Sequence, residues 1–202
     1  MDKMMFNNRY GLTKSVLSGY KTKTRRLASS IIRQWEISEE LGEILGTRQV
    51  SLEEFAIRHS RYKVGDVVAV AQSYQEVFDT VGTMNVPQLQ EIPLNHKGWH
   101  NKMFVSADIM PHRIKITSVG FERLQDISEE DCLKEGVIRF SDNEYAVDGI
   151  SIPYSHVGKG LYAQRVFRSA KEAFSVLIDK TSGKGTWESN PYVYVYGFEL
   201  VK

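Results

Sequence analysis

Between positions 21 and 26 the chain places Lys21, Thr22, Lys23, Thr24, Arg25 and Arg26 in succession, so every side chain of the run is a cation or a hydroxyl. Such a run can bind an anion, grip an RNA backbone, or, where an amine meets an alcohol, carry out amide chemistry. The last is the most demanding. Acyl transfer needs a nucleophile, a base, and a group that holds the oxyanion of the intermediate. A threonine hydroxyl attacks only when something takes its proton. A lysine can do so if burial or neighbouring cations lower its pKa toward neutrality. Lys23, Arg25 and Arg26 would press Lys21 in that direction. The competing reading is a solvated strand whose charges protect a sheet edge from pairing.

Spacing sets a condition on the chemistry. In a regular strand Lys21 and Thr24 point to opposite faces, whereas in a helical turn residues three apart are neighbours. The two side chains therefore meet only if the backbone turns near Gly19-Tyr20-Lys21, and glycine permits such a turn.

The elements that must position this run are legible around it. Leu12, Val16 and Leu17 share one helical face and Gly19 follows, so 11–18 reads as a short helix that delivers the chain into the basic run. Helical segments continue through 28–60, with Ser38 and Ser51 as N-cap candidates and Ser51 with Glu54 as a capping box. "YKVGDVVAVA" turns at Gly65-Asp66 into a buried strand over 67–71. Residues 76–98 show no clear period and read as an irregular insertion. Residues 102–109 read as a strand, and 112–124 as a strand with a bulge at Gly120. "DISEEDCLKEG" opens with Ser128 and Asp131 as a capping-box variant, staples Ile127 onto Cys132, and stops at Gly136. Ser169 and Glu172 open a second helix with an apolar stripe of Ala170, Ala173, Phe174, Leu177 and Ile178. "NPYVYVYGFELV" closes the chain as a strand. Helices and strands do not alternate regularly, which speaks against a doubly wound parallel sheet and for an α+β arrangement.

Composition narrows the field. With 202 residues, 42% hydrophobic and 25% charged, the chain fits one globular domain, 1–202, with insertions at about 28–60 and 76–98. Net charge is +1, so nucleic-acid contact would have to come from a local patch. Long RNA, which draws on an extended basic surface, is mildly disfavoured against a small-molecule pocket. The single cysteine, Cys132, cannot form an internal disulfide, and packing is its default role. The first residues lack the apolar core of a signal peptide, and no stretch is apolar enough to cross a membrane. A cytoplasmic location is expected, with no cofactor.

Four stretches, "VLSGYKTKTRR", "YKVGDVVAV", "HRIKITSVGFERLQDISEEDCLKEGV" and "GTWESNPYVYVYGFELV", resemble the ASCH domain, a branch of the PUA-like superfamily. They follow the family's order from 11 to 201. The last two are similar to ASCH proteins of phages and prophages. The resemblance implies a small, mostly antiparallel β-barrel with flanking helices and a cleft related to the RNA-binding cleft of PUA domains. Some small bacterial members are amidohydrolases that deacetylate N(4)-acetylcytidine with a lysine, a threonine and a glutamate. Carried over, these fall on Lys21, on Thr24 as nucleophile, and on Glu135, with a following arginine at Arg26. Tyr20 stands where those enzymes have an arginine, Lys23 stands where they have an apolar residue, and this chain is longer.

The expected site is thus Lys21, Thr24 and Glu135 as catalytic residues. Lys23, Arg25, Arg26 and Arg113 would contact substrate or phosphate, and the partner would be RNA or a nucleoside. The alternative is a non-catalytic RNA-binding or phage accessory module. Other candidates carry less. His96 and His100 are four apart but flank a glycine and lack an acidic third ligand, so no metal is expected. The "GKG" runs at 158–160 and 183–185 lack the strand–loop–helix context of a phosphate loop. Of Trp187, Tyr192, Tyr194 and Tyr196, only one strand parity could stack bases.

Overall fold

The computed structural model describes residues 1–46, 50–153 and 162–201; the "GKG" at 158–160 lies outside them. A short strand β1 (Lys3–Met5) leads into helix α1 (Leu12–Leu17) and strand β2 (Lys23–Leu27). Helices α2 (Ile31–Leu45) and α3 (Leu52–His59) follow, then β3 (Val67–Ala71) and α4 (Tyr74–Thr80). The long strand β4 (Arg113–Arg123) precedes α5 (Glu129–Lys134). Strands β5 (Ile138–Ser141), β6 (Glu144–Pro153) and β7 (Tyr162–Phe167) come next. Helices α6 (Ala170–Ser182) and α7 (Thr186–Ser189) and strand β8 (Tyr192–Val201) complete the chain.

The strands form two open sheets, not the closed barrel expected from the resemblance. One has the order β1-β3-β4-β8-β2 and the other β5-β6-β7. The α+β composition stands; the barrel does not. Closure would require the two edges of the five-stranded sheet to pair. β1 is three residues long and pairs only with β3, in parallel, while β2 pairs only with β8. The three-residue edge supplies too few ladder bonds to seal the ring.

The principal core lies between this sheet and α6, whose apolar stripe of Ala170, Ala173, Phe174, Leu177 and Ile178 is buried as the pattern required. Ser169 caps α6 by accepting from the Glu172 N–H, and Ser51 does the same for α3 with Glu54. Ser38 is no cap: it lies inside α2, which begins at Ile31. The bulge in β4 falls at Thr117, between Ile116 and Ser118, rather than at Gly120. It faces Gly197, where an added Cβ would run into the Ser118 hydroxyl.

Two stretches differ from expectation for a local reason. The supposed strand at 102–109 is two 3₁₀ turns, Lys102–Phe104 and Ala107–Ile109. The Asn101 side chain accepts from the Met103 N–H, and capping of this kind wins over β propensity in a short segment. The insertion at 76–98 opens with a true helix, α4, behind a complete Ser73/Glu76 capping box. With the 3₁₀ turns it builds its own cluster of Tyr74, Val77, Leu89 and Trp99 on Ala69 and Ala71 of β3.

Candidate active site

The turn demanded by spacing is present. Gly19 has φ +77°, in the left-handed region, and ends α1. The backbone is then pinned on both sides: the Lys21 N–H donates to the Ser15 carbonyl at 2.9 Å and the Thr22 N–H to the Lys134 carbonyl at 3.0 Å. Lys21 therefore precedes the regular strand, and the pleat that would separate it from Thr24 does not apply. Both side chains line one cleft of about 460 Å³.

Glu135 arrives from the other side. Ser128 accepts from the Asp131 N–H at 3.1 Å and starts α5, and three acids fill its first turn, where the helix dipole favours them. Glu135 is the residue at which the helix ends. Gly136 follows with φ +107°, and an added Cβ would sit 2.8 Å from Leu12 Cδ2. Gly136→Ala is therefore expected to lower the unfolding free energy by about 1–3 kcal/mol, since it combines positive φ with a core clash. Urea unfolding monitored by circular dichroism measures it; an unchanged midpoint would show that the α5 terminus can relax freely.

Lys21 and Glu135 meet at 2.6 Å between Nζ and Oε2, with side-chain exposures of 2% and 5%. The ammonium also donates to the carbonyls of Lys23 and Glu135, each at 2.7 Å, so its three hydrogens are used. Burial pushes the Lys21 pKa below its ordinary value, and Arg26 and Arg25 add to this, against the opposing pull of Glu135.

Arg25 organises the surrounding carboxylates. Its side chain is 1% exposed and reaches Glu122 at 2.7 Å, Asp131 at 3.2 Å and Glu135 at 3.1 Å. Burial disfavours the cation, but Glu135, Glu122 and Asp131 outweigh it and raise the Arg25 pKa. Lys23 extends the network, donating to both oxygens of Asp131 at 2.8 Å. Three cations thus face three carboxylates. Arg26 stands apart: its guanidinium donates to the Met5 carbonyl at 2.6 Å, packs over the Phe6 ring, and makes no ion pair among the described residues.

The cleft occupies the gap left by the unclosed sheet. Met5 and Phe6 line it from the β1 side and Thr24, Arg26 and Leu27 from β2. Phe174 and Ile178 of α6 supply an apolar wall. Thr24 is 5% exposed, lines this space, and makes no hydrogen bond through its hydroxyl among the described residues. The arrangement holds an alcohol, a buried amine–acid pair and an unpaired guanidinium around one basin.

Of the expected substrate contacts, the structure brings Arg26 to the open cleft. Arg25 also lines the cleft but is committed to carboxylates, and Lys23 is tied to Asp131. Arg113 is elsewhere, at the start of β4 between Ala69 and Val201. Trp187 packs on Phe174 against the core, and Tyr196 is buried, so neither offers a free stacking face. Glu122 and Phe6 were not legible as site residues. Glu122 gains its role from the β4–β8–β2 register, which no local pattern encodes. Among the described residues no group of His, Cys, Asp and Glu is placed to hold a metal, and no helix is long and apolar enough to cross a membrane. Cys132 is buried and its thiol is pushed up to about 12, chiefly by burial, so it is no nucleophile.

No protein-family model, curated protein or solved structure matches the chain.

Proposed function

We propose that this is an ASCH-type protein whose cleft binds a modified nucleoside and hydrolyses its N-acyl amide, as in N(4)-acetylcytidine. The observation that carries the reading is the buried Lys21–Glu135 pair at 2.6 Å beside Thr24 in a single nucleoside-sized cleft. The similarity of "GYKTKTRR" to the amidohydrolase motif supports the same assignment.

In this mechanism Lys21, deprotonated and oriented by Glu135, takes the proton of Thr24. The Thr24 oxygen bonds to the acyl carbon, and the carbonyl oxygen becomes an oxyanion that Arg26 stabilises. Collapse breaks the carbon–nitrogen bond, and Lys21 returns the proton to the departing amine. Water, deprotonated by the same lysine, then attacks the acyl-threonine ester, and the lysine returns that proton to the Thr24 oxygen as the carbon–oxygen bond breaks. The balance is amide plus water to amine plus carboxylic acid.

The test is incubation with N(4)-acetylcytidine, with cytidine release followed by chromatography. Turnover is expected in the wild type, to be retained in part by Thr24→Ser and reduced at least about 10³-fold in Thr24→Ala, the scale of losing a nucleophile. Turnover untouched by Thr24→Ala ends the proposal.

One observation favours a second reading, a binding module without catalysis. All three ammonium hydrogens of Lys21 are held by protein oxygens, which suits a structural cation. On that reading RNA or a nucleoside binds through Arg26, and affinity for RNA falls with salt by only about one phosphate contact's worth.

A further inference from the structure

A second groove, of about 510 Å³, lies on the other side of the turn that carries Lys21 into the first cleft. Its floor is apolar, built from Leu133, Val137 and Ile138, and its rim carries Lys14, Lys134 and Arg139. Tyr20 lines it too and is 80% exposed, with a ring that no core residue covers. Neighbouring residues are divided between the two spaces. Tyr20 and Lys134 line the groove, while Lys21 and Glu135 line the cleft. The backbone at 20–21 and 134–136 is a shared wall.

We infer that this groove is a binding site for a small anionic molecule with an aromatic or other planar apolar body. Three features set that chemistry. The volume is in the range of sites for small organic ligands. Tyr20 gives a flat face for stacking beside an apolar floor. Three cations on the rim against one carboxylate, Asp148, leave the lining with an excess of two positive charges. The rim cations do have carboxylate neighbours beyond the groove. Lys134 lies 3.7 Å from Asp131, and Arg139 lies 3.2 Å from Asp142. Both cations are about half exposed, Asp142 is 98% exposed, and surface pairs of this kind contribute little, so an anion in the groove can replace them. The inference is independent of whether the cleft is catalytic.

The probe is 8-anilinonaphthalene-1-sulfonate, an anion with an apolar aromatic body whose fluorescence rises in a dry site. The uncharged N-phenyl-1-naphthylamine, which has the same body without the sulfonate, serves as control. Titration of the full chain is expected to saturate at one site per chain and to bind the anion at least about tenfold more tightly than the neutral control. The double variant Lys134→Ala/Arg139→Ala should weaken the anion at least about tenfold and leave the neutral probe unchanged. Tyr20→Ala should weaken both. Tyr20 and Arg139 are exposed and Lys134 is half exposed, and none belongs to the core, so the variants are expected to fold, which circular dichroism checks. Equal affinity for the two probes, or anion binding unchanged in the double variant, overturns the assignment; so does the absence of saturable binding at millimolar probe.

Discussion

Arg25→Ala is expected to lower the unfolding free energy by about 3–5 kcal/mol, the scale of removing one partner from a buried ion-pair network. The side chain is 1% exposed and is held by three carboxylates from two different elements. Deleting it leaves three carboxylates, two of them with side chains only 5% and 16% exposed, facing two cations, Lys21 and Lys23, so one negative charge of the buried network is left uncompensated. An uncompensated buried charge costs more than the pair ever contributed, which is why removal of one partner is severe. Arg139→Ala provides the contrast. Its partner Asp142 is exposed, and the change is expected to stay within about 0.5 kcal/mol. Urea unfolding of both variants decides the matter. Equal effects would mean that water reaches Arg25 and screens it.

The second large effect is kinetic. If Lys21 is the base of the proposed hydrolysis, Lys21→Met should reduce kcat about 10²–10⁴-fold, the usual contribution of a positioned general base. The companion double variant Lys21→Met/Thr24→Ala should be hardly slower than the worse single variant, because residues that act as one unit do not add. The pH profile supplies a readout that a structural lysine would not move. Neutral lysine is the active form, so the rate should rise with pH through a value below the ordinary 10.5 of a lysine, and this limb should vanish in Lys21→Met. A turnover lost only in proportion to the unfolded fraction, with the limb intact, would assign Lys21 a structural role.

Much of this site could be read from the chain before any tertiary information. The Ser128 cap, the acidic first turn and Gly136 fix α5 and place Glu135 at its end. Gly19 marks the turn that frees Lys21 from the strand pleat. Both are local matters of capping and of backbone conformations that glycine alone takes easily, and a local pattern encodes local structure. The α6 stripe and the C-terminal strand were legible for the same reason, through strong periodicity and β propensity.

What stayed hidden depended on pairing across the sequence. Nothing near position 25 tells that its arginine will be buried under Glu122 and Asp131, or that Lys23 will be spent on the same acid. Those contacts follow from β2 lying beside β8, which in turn lies beside β4. The second sheet, β5-β6-β7, carries no such local signal: β5 has four residues, all exposed, and of the six in β7 only Phe167 is buried. Residue type and spacing determined which groups could do chemistry and where the backbone must turn for them to meet. Whether those charges would be solvated or buried was decided only in three dimensions, by an edge strand that found one partner and left the other side of the sheet open.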